Sequence, residues 1–313
     1  DPCGRTTYGL RANQDENLTV ARVDWQKSDK HTIFGRIISA DLTVGSTFDG
    51  SNPLTVSQYG VHDQAHSLAL GDTYLFGAGV VNSFRFAMNR TVVPKVRDNF
   101  KSLRELGADV SDFGEHVFSM TVTNAFSIGG GAAVPGESHN GPNPSFNEDL
   151  SWVKGSHQLG FGGSILRQGM NYWSGLVMAA TSTFNGSATG LSLADLMTGQ
   201  AVSFNQGLRY GWYNRQYYSA LYAQDTWKIT PRLTLSYGLR WEPYTAPWSK
   251  FGQFNHFDAG LYASNFRSSI FKNAPAGLAF SGEQQYACGK SLNCPQWLKL
   301  SPRLGLVWDP FGD

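Results

Sequence analysis

The chain has 313 residues and a mass of 34.3 kDa, which is long enough for one large domain or two ordinary ones. Its 25 Lys and Arg side chains nearly balance its 24 Asp and Glu side chains, so we expect no basic surface for nucleic acid. Charged residues make up only 16% of the chain and aromatic residues 13%, with 35 Gly, a composition that favours strands and turns over helices with solvated faces.

Nine segments alternate apolar and polar residues with the period of a β-strand. In chain order they cover residues 18–26, 32–40, 65–76, 80–91, 146–153, 158–168, 217–227, 233–242 and 301–309. Short turns join the first eight segments into four hairpins. The connections between hairpins are long, at residues 41–64, 92–145, 169–216 and 243–300.

Short and long connections therefore alternate along the whole chain. Compact soluble domains seldom contain structureless loops longer than about 12–15 residues. Outer-membrane barrels routinely combine tight periplasmic turns with long external loops. No apolar stretch approaches the roughly 20 residues of a membrane helix, so membrane crossing by helices is excluded. The sequence predicts an all-β fold, an antiparallel transmembrane β-barrel segment with short periplasmic turns and long extracellular loops.

The long connections also contain patterns of their own. Residues 102–106 and 191–197 have helical spacing, while residues 116–126 alternate like a strand. We expect small ordered elements within these loops.

The segment 233–242 raises the question of which face of a strand contacts water. Its apolar residues occupy every second position, opposite a face that carries Arg240 and Glu242. A soluble protein would turn the apolar face inward, whereas a membrane barrel turns it toward lipid. Eight steps of strand cover about 26 Å, or roughly 20 Å of membrane depth at a tilt of about 40°. We expect the apolar faces to contact lipid and Arg85, Arg240 and Glu242 to face a wet lumen.

An aromatic residue stands within two residues of each short turn. Aromatic rings gather where hydrocarbon meets lipid headgroups, so a row at constant distance from the turns predicts a membrane girdle. Strand aromatics also pack soluble cores, but five in register together with the unequal loops favour the girdle. The candidates are Trp25, Phe76, Trp152, Trp227 and Trp308 at the turn side, with Trp241 at the opposite rim.

Cys288 and Cys294 lie close together in a polar stretch, a spacing that a local disulfide can close in an oxidising compartment. The alternative is two free thiols. Cys3 has no assigned partner. The pair is a poor zinc site, because no other Cys or His stands beside it.

The chain carries no recognisable catalytic, phosphate-binding or zinc-protease motif. His62 and His66 are four residues apart, as in a helical metal pair, but two solvated histidines explain them as well. Asp225 and Glu242 are expected to pair with Arg240 or other lumen cations. We therefore predict no enzyme activity, catalytic residue, metal or cofactor.

The segment 210–218 is dense in aromatic rings. Such rings stack on sugars or flat chelates, or they form the external girdle where the next strand enters the membrane. We expect most of them to belong to the girdle.

Several sequence blocks together resemble TonB-dependent outer-membrane receptors, particularly their Oar-like branch. The hairpin YAQDTWKITPRLTLSYGLRWE at residues 222–242 is similar to a signature of that family. Further similar blocks are NQDEN through RVDW at 13–25, WVKGSHQLGFGG at 152–163, ADLMTG at 194–199 and SPRLGLVWDP at 301–310.

The resemblance implies energy-coupled uptake of a large nutrient, of the siderophore, glycan or peptide class, across the bacterial outer membrane. It implies a 22-stranded barrel filled by a plug domain and driven by the TonB complex. Residues 1–313 would then be an inner barrel segment without the plug or either barrel end. Its expected partners are outer-membrane lipid, its own plug, the TonB complex and the nutrient, and no nucleic acid. The alternative is a soluble or surface-attached β-protein that binds glycans or proteins without transport.

Overall fold

The computed structural model describes residues 4, 7, 9–56, 59–96, 100–111, 118–129, 136–174, 180–208 and 210–311. Cys3 lies outside these described residues. No helix among them is long and apolar enough to cross a membrane.

The described residues form mainly β-strands, with two short α-helices and one 3-10 turn at Pro53–Thr55. The strands are β1 (Gln14–Ser28), β2 (His31–Val44), β3 (Gly60–Leu75), β4 (Val80–Val96), β5 (Ser119–Val122), β6 (Phe126–Ile128), β7 (Gly136–Lys154), β8 (His157–Ser174), β9 (Thr181–Phe184), β10 (Ser203–Asn205), β11 (Tyr210–Thr230), β12 (Leu233–Trp241), β13 (Trp248–Ser249), β14 (Asn255–Phe257), β15 (Leu278–Phe280) and β16 (Leu300–Trp308). The helices are α1 (Ser192–Met197) and α2 (Ala259–Ala263).

One large antiparallel sheet contains the nine long strands in the order β1-β2-β3-β4-β7-β8-β11-β12-β16, and β13 adds to β11. Each of the nine predicted strands coincides with one of these, so the all-β antiparallel prediction is confirmed. Several strands are longer than predicted. β11 begins at Tyr210 instead of residue 217, because its ladder with β8 continues well beyond the expected membrane segment.

The positions of the short turns shift steadily across the sheet. His31 follows the first short turn, and the register connects it through neighbouring strands to Tyr74, Leu150 and Ala223. These residues lie one, four and seven positions before the ends of β3, β7 and β11, after one, three and five strand-to-strand steps. The shift of seven residues corresponds to about 23 Å along the strands, and five strand-to-strand steps correspond to about 24 Å across the sheet. If all the short turns lie at the same depth in the membrane, the strands must be tilted by about 40–44° from the membrane normal. Transmembrane β-barrels have this tilt.

Most of the buried apolar side chains among the described residues lie in the long connections, whereas the large sheet contributes Val92 of β4 and Ala220 of β11. Val56, Phe100 and Phe118 form a cluster that joins the first and second connections. The second and third connections share a four-stranded sheet in the order β10-β9-β5-β6, in which β5 and β9 are parallel. These loops therefore fold together at one end of the large sheet.

The predicted loop elements had different outcomes. The helical spacing at 191–197 corresponds to α1. Residues 102–106 form only a turn, in which the Leu106 amide donates to the Ser102 carbonyl at 3.1 Å. Of the strand-like stretch 116–126, residues 116 and 117 lie outside the described residues. The rest does not form one continuous strand, because Asn124 adopts a left-handed conformation at φ 60° and separates β5 from β6 in a tight turn.

The fourth connection folds separately around β14, α2 and β15. Asp258 caps α2 by accepting a 2.8 Å hydrogen bond from the Leu261 amide. Ala279 and Phe280 of β15 are buried against this segment's own residues. The connection is attached to β11 through β13 and through a 2.7 Å hydrogen bond from Gln253 Nε2 to the Gly211 carbonyl.

Candidate functional site

The register divides the large sheet into two faces, because directly opposite residues of neighbouring strands share a face. Arg85 is connected through Asn147 and Ser164 to Ala220 of β11. Arg240 pairs with Tyr222, two positions further along the same strand, so the two arginines share a face. We call this the polar face; its other members include Arg22, Asp24, Arg36, Asp149, Gln224, Ser236, Ser301 and Arg303.

The opposite side is the apolar face. It carries Ile37, Leu70, Phe84, Phe146, Ile165, Leu221, Leu239 and Leu306. No second sheet of the described chain covers it: Leu221 is 57% exposed and Leu239 is 47% exposed. A groove of about 760 Å³ opens on this face, lined mainly by aromatic and aliphatic side chains. An uncovered apolar surface of this size marks contact with a membrane or with another protein.

Five of the six predicted girdle residues lie on the apolar face. Trp25, Trp152 and Trp227 stand two or three positions before the ends of β1, β7 and β11, and Trp308 ends β16. Trp241 ends β12 at the other rim, where its Nε1–H donates to the Trp297 carbonyl at 2.7 Å. The sixth residue, Phe76, follows the end of β3, and its amide donates to the Val80 carbonyl within the turn.

Asp72, Glu148 and Asp225 are acidic side chains on the apolar face, and each has a hydrogen-bond partner. Asp72 contacts His31 at 2.5 Å, and Glu148 accepts from Asn82. Asp225 contacts His157 Nδ1 at 2.7 Å and accepts from the Tyr237 hydroxyl at 2.9 Å. The expectation that Asp225 pairs with a lumen cation was wrong. Asp225 alternates with Tyr222 and Gln224 along β11, so it lies on the apolar face and not on the face that carries the arginines.

The polar face contains a hydrogen-bonded network around β11 and β12. The Tyr222 hydroxyl donates to Asp149 Oδ1 at 2.6 Å, and Arg240 Nε donates to Glu242 Oε2 at 3.0 Å. Glu242 follows the last residue of β12 and thus remains beside Arg240. A cavity of about 210 Å³ lies here, with Tyr222, Arg240 and Arg303 in its wall.

Glycine makes room for two rings of the polar face. The Phe34 ring lies over Gly71, and the Tyr222 ring lies over Gly162, so neither glycine has space for a side chain. A Cβ on Gly162 would stand 2.6 Å from the Glu148 carbonyl oxygen and 2.7 Å from Tyr222 Cζ. Real carbon atoms do not approach this closely, so the absent side chain is a packing requirement here.

The structure gives His62 and His66 separate hydrogen-bond partners within a strand. His62 Nε2 contacts Asp41 at 3.1 Å, and His66 Nδ1 contacts the Ser39 hydroxyl at 3.0 Å. Both histidines belong to β3, not to a helix. Among the described residues there is no group of three or more His, Cys, Asp or Glu side chains placed to hold a metal ion.

In the fourth connection, Cys288 and Cys294 are joined by a disulfide, with their Cα atoms 4.6 Å apart. The bridge closes the segment that follows Tyr286, a buried ring whose hydroxyl donates to the Leu292 carbonyl at 3.2 Å. Burial raises the pKa of the Tyr286 phenol.

A buried carboxylate organises the third connection around α1. Asp195 accepts hydrogen bonds from the Thr189 hydroxyl at 2.6 Å and from the Thr189 amide at 2.8 Å. These bonds, the hydroxyl bond foremost, hold the pKa of Asp195 below its usual value. Its role is to cap the turn before α1.

The rings of residues 210–218 do not act as one group. Tyr213 and Tyr217 lie on the apolar face, as the girdle interpretation requires. Tyr210, Trp212 and Tyr218 lie on the polar face. The alternation of strand side chains separates them once β11 is known to begin at Tyr210.

The comparisons with known proteins agree with this architecture. A family model described as "Outer membrane beta barrel domain" matches residues 4–313. The chain belongs to this family. This outer-membrane barrel chain is therefore placed in the bacterial outer membrane. No curated protein sequence matches it.

Solved structures with some similarity include the outer membrane transporter YddB from Escherichia coli and the copper transporter OprC. The first is 12% identical, with a TM-score of 0.43, and the similarity covers 77% of this chain and 28% of that one. The second is 12% identical, with a TM-score of 0.39, covering 80% of this chain and 30% of that one. The chain thus spans less than a third of either transporter.

Proposed function

We propose that this chain forms nine strands of a TonB-dependent outer-membrane receptor of the Oar-like branch, which takes up a nutrient too large for porins. The role is transport and not catalysis. The sequence blocks quoted above are the reason for choosing this branch.

The observation that carries the proposal is the uncovered apolar face opposite a face rich in arginine, glycine and serine. A soluble sheet would bury Leu221 and Leu239 under a second layer, yet both are exposed. In a barrel the same residues contact acyl chains, and the polar face lines a wet interior. The strand tilt of about 40–44° supports this assignment independently.

In this proposal the girdle lies on the lipid side of the barrel. Trp25, Trp152, Trp227 and Trp308 mark the periplasmic rim, with Phe76 in the turn beside them. Trp241 marks the external rim. Arg85, Arg240 and Glu242 face the lumen.

The lumen arginines are suited to contact a plug domain. Arg36, Arg85 and Arg303 make no ion pair with the part of the chain that the structure describes. Unpaired guanidinium groups in a confined interior favour acidic partners. We assign these partners to the receptor's own plug, which the TonB complex would act upon.

Uptake measurements test the proposal. Cells that express the protein are given three labelled probes, a ferric hydroxamate, maltoheptaose and an octapeptide, in the presence and absence of TonB. We expect one probe to accumulate only when TonB is present. Equal accumulation without TonB, or no accumulation of any probe, contradicts energy-coupled transport.

A further inference from the structure

Two separate aromatic clusters occupy opposite faces of the sheet near the long connections. On the apolar face, Trp173 donates its Nε1–H to the Tyr213 hydroxyl at 2.8 Å. On the polar face, Trp212 lies between Tyr172 and Tyr210, with ring centroids 6.4 Å and 5.9 Å away. The polar-face cluster is partly open, since Trp212 is 50% exposed and Tyr210 is 40% exposed.

The exposure of this second cluster is unusual for its position. Rings on the apolar face gain by contact with lipid, but rings on a wet interior wall leave their apolar surfaces in water. The plane of Trp212 is inclined by 56° to that of Tyr172 and by 52° to that of Tyr210. The three rings therefore form an uneven surface and are not stacked on one another. Such a surface is available to a ligand with apolar faces of its own.

The described residues of β8 and β11 beside these rings on the same face are uncharged. No polar-face residue of β8 from 166 to 174 or of β11 from 210 to 220 carries a charge. Arg167 and Arg215 of the same strands lie on the other face. An anionic metal chelate would find no positive charge to pair with among these residues. A neutral ligand needs no such charge.

Two amide side chains next to the rings have free acceptor atoms. Asn140 of β7 and Asn214 of β11 both pair with Met170 of β8 in the strand register. They lie two positions along their strands from the residues that pair with Tyr172. The Oδ1 atom of each is buried and has no hydrogen-bond partner among the residues that the structure describes. A buried acceptor without a partner costs about 1–3 kcal/mol, so a ligand hydroxyl that donates to it is favoured.

We propose that Tyr172, Tyr210, Trp212, Asn140 and Asn214 form a binding site for a neutral oligosaccharide at the external mouth of the lumen. A sugar ring offers an apolar C–H face to an aromatic ring and hydroxyl groups around its edge. The C–H faces lie on Trp212 and its neighbours, and hydroxyl groups donate to the two asparagines. This inference rests on the proposed function, in that it assigns the substrate class to the same barrel.

Binding to the purified protein in lipid nanodiscs tests the site without any need for TonB. Titrations use maltoheptaose, cellohexaose, laminarihexaose and mannohexaose, with a ferric tris-catecholate as the flat anionic comparison. We expect one oligosaccharide to bind saturably and the chelate not to bind. In Trp212→Ala we expect binding to weaken about tenfold, while Trp212→Phe keeps most of the affinity.

The matched control is Tyr217→Ala, which removes a ring from the same strand on the apolar face and should leave binding unchanged. Tryptophan fluorescence and resistance to SDS before heating show whether each variant is folded. Asn214→Leu provides a second test that leaves the rings intact, and it should also weaken binding.

The outcomes separate the two proposals. Failure of all four oligosaccharides to bind, binding of the chelate alone, or unchanged binding in folded Trp212→Ala overturns the sugar site. Saturable binding together with uptake that does not require TonB leaves the sugar site intact and overturns the proposed transport mechanism.

Discussion

Gly162→Ala is predicted to destabilise the barrel far more than a glycine-to-alanine change in a strand usually does. The new methyl group meets the Glu148 carbonyl oxygen at 2.6 Å and the Tyr222 ring at 2.7 Å. The ring must move, and its 2.6 Å hydrogen bond to Asp149 is then lost. Overpacking costs about 1–3 kcal/mol and a hydrogen bond to a charged group about 1.5–3 kcal/mol, so we expect a loss of about 3–5 kcal/mol.

The measurement is urea unfolding of the protein in phospholipid vesicles, followed by tryptophan fluorescence. Gly305→Ala is the control, because its Cβ on the same face would lie 3.8 Å from Ser236 Cβ, an ordinary contact. That variant should change the free energy of unfolding by less than about 0.5 kcal/mol. Tyr222→Phe should cost about 2 kcal/mol, since it removes only the hydrogen bond.

A double-mutant cycle identifies the Tyr222 ring as the cause. In the Tyr222→Ala background the ring is absent, so adding Gly162→Ala should cost at least about 1 kcal/mol less than it does in the wild type. Equal costs in both backgrounds, or a wild-type cost no larger than that of Gly305→Ala, would refute the assigned packing of this face.

Three further predictions concern the connections. Cys288→Ser opens a short loop and should lower the stability of the fourth connection by about 2 kcal/mol, measured by hydrogen exchange of its amides; unchanged exchange contradicts this. Asp195 has a lowered pKa, so its stabilisation is present above about pH 4 and is lost as the pH falls through the lowered value. Relative to an unfolded reference substrate at the same pH, pepsin should therefore cut the third connection increasingly from pH 4 to pH 2, and the relative rate for Asp195→Asn should stay constant over this range. Trp241→Phe retains the ring but not the hydrogen bond to Trp297, and should speed exchange of the Glu242 amide by about fivefold.

The strand order and the two faces were predictable because both depend on local patterns. Alternation along 233–242 assigns each side chain to a face, and short turns pair neighbouring segments. Residues Arg85 and Arg240 were accordingly expected on one face, and the register places them there.

The loop fold was less predictable because its contacts join distant parts of the chain. The parallel pairing of Ser119 with Thr181 connects two separate long connections, and no local pattern indicates it. The cluster of Val56, Phe100 and Phe118 has the same long-range character.

One error at the candidate site came from incomplete use of the alternation, and two came from expected strands that were too short. Asp225 lies two positions before Trp227 in the same strand, so the alternation already places both side chains on the apolar face. The polar-face position of Trp212 was missed because β11 was expected to begin only at residue 217. Tyr172 was missed for the same reason, since β8 was expected to end before it.

The barrel assignment requires that Leu239 face lipid while Ser236, three positions away in β12, faces the lumen. Nitroxide labels at Leu239→Cys and Ser236→Cys, in a Cys3→Ser background in native-like vesicles, report this by electron paramagnetic resonance. We predict that oxygen, which concentrates in lipid, relaxes the label at 239 more strongly than the water-soluble nickel chelate does, and that the ratio of the two effects is smaller at 236. The reverse order would mean that the apolar face lines the interior, and would contradict the barrel assignment.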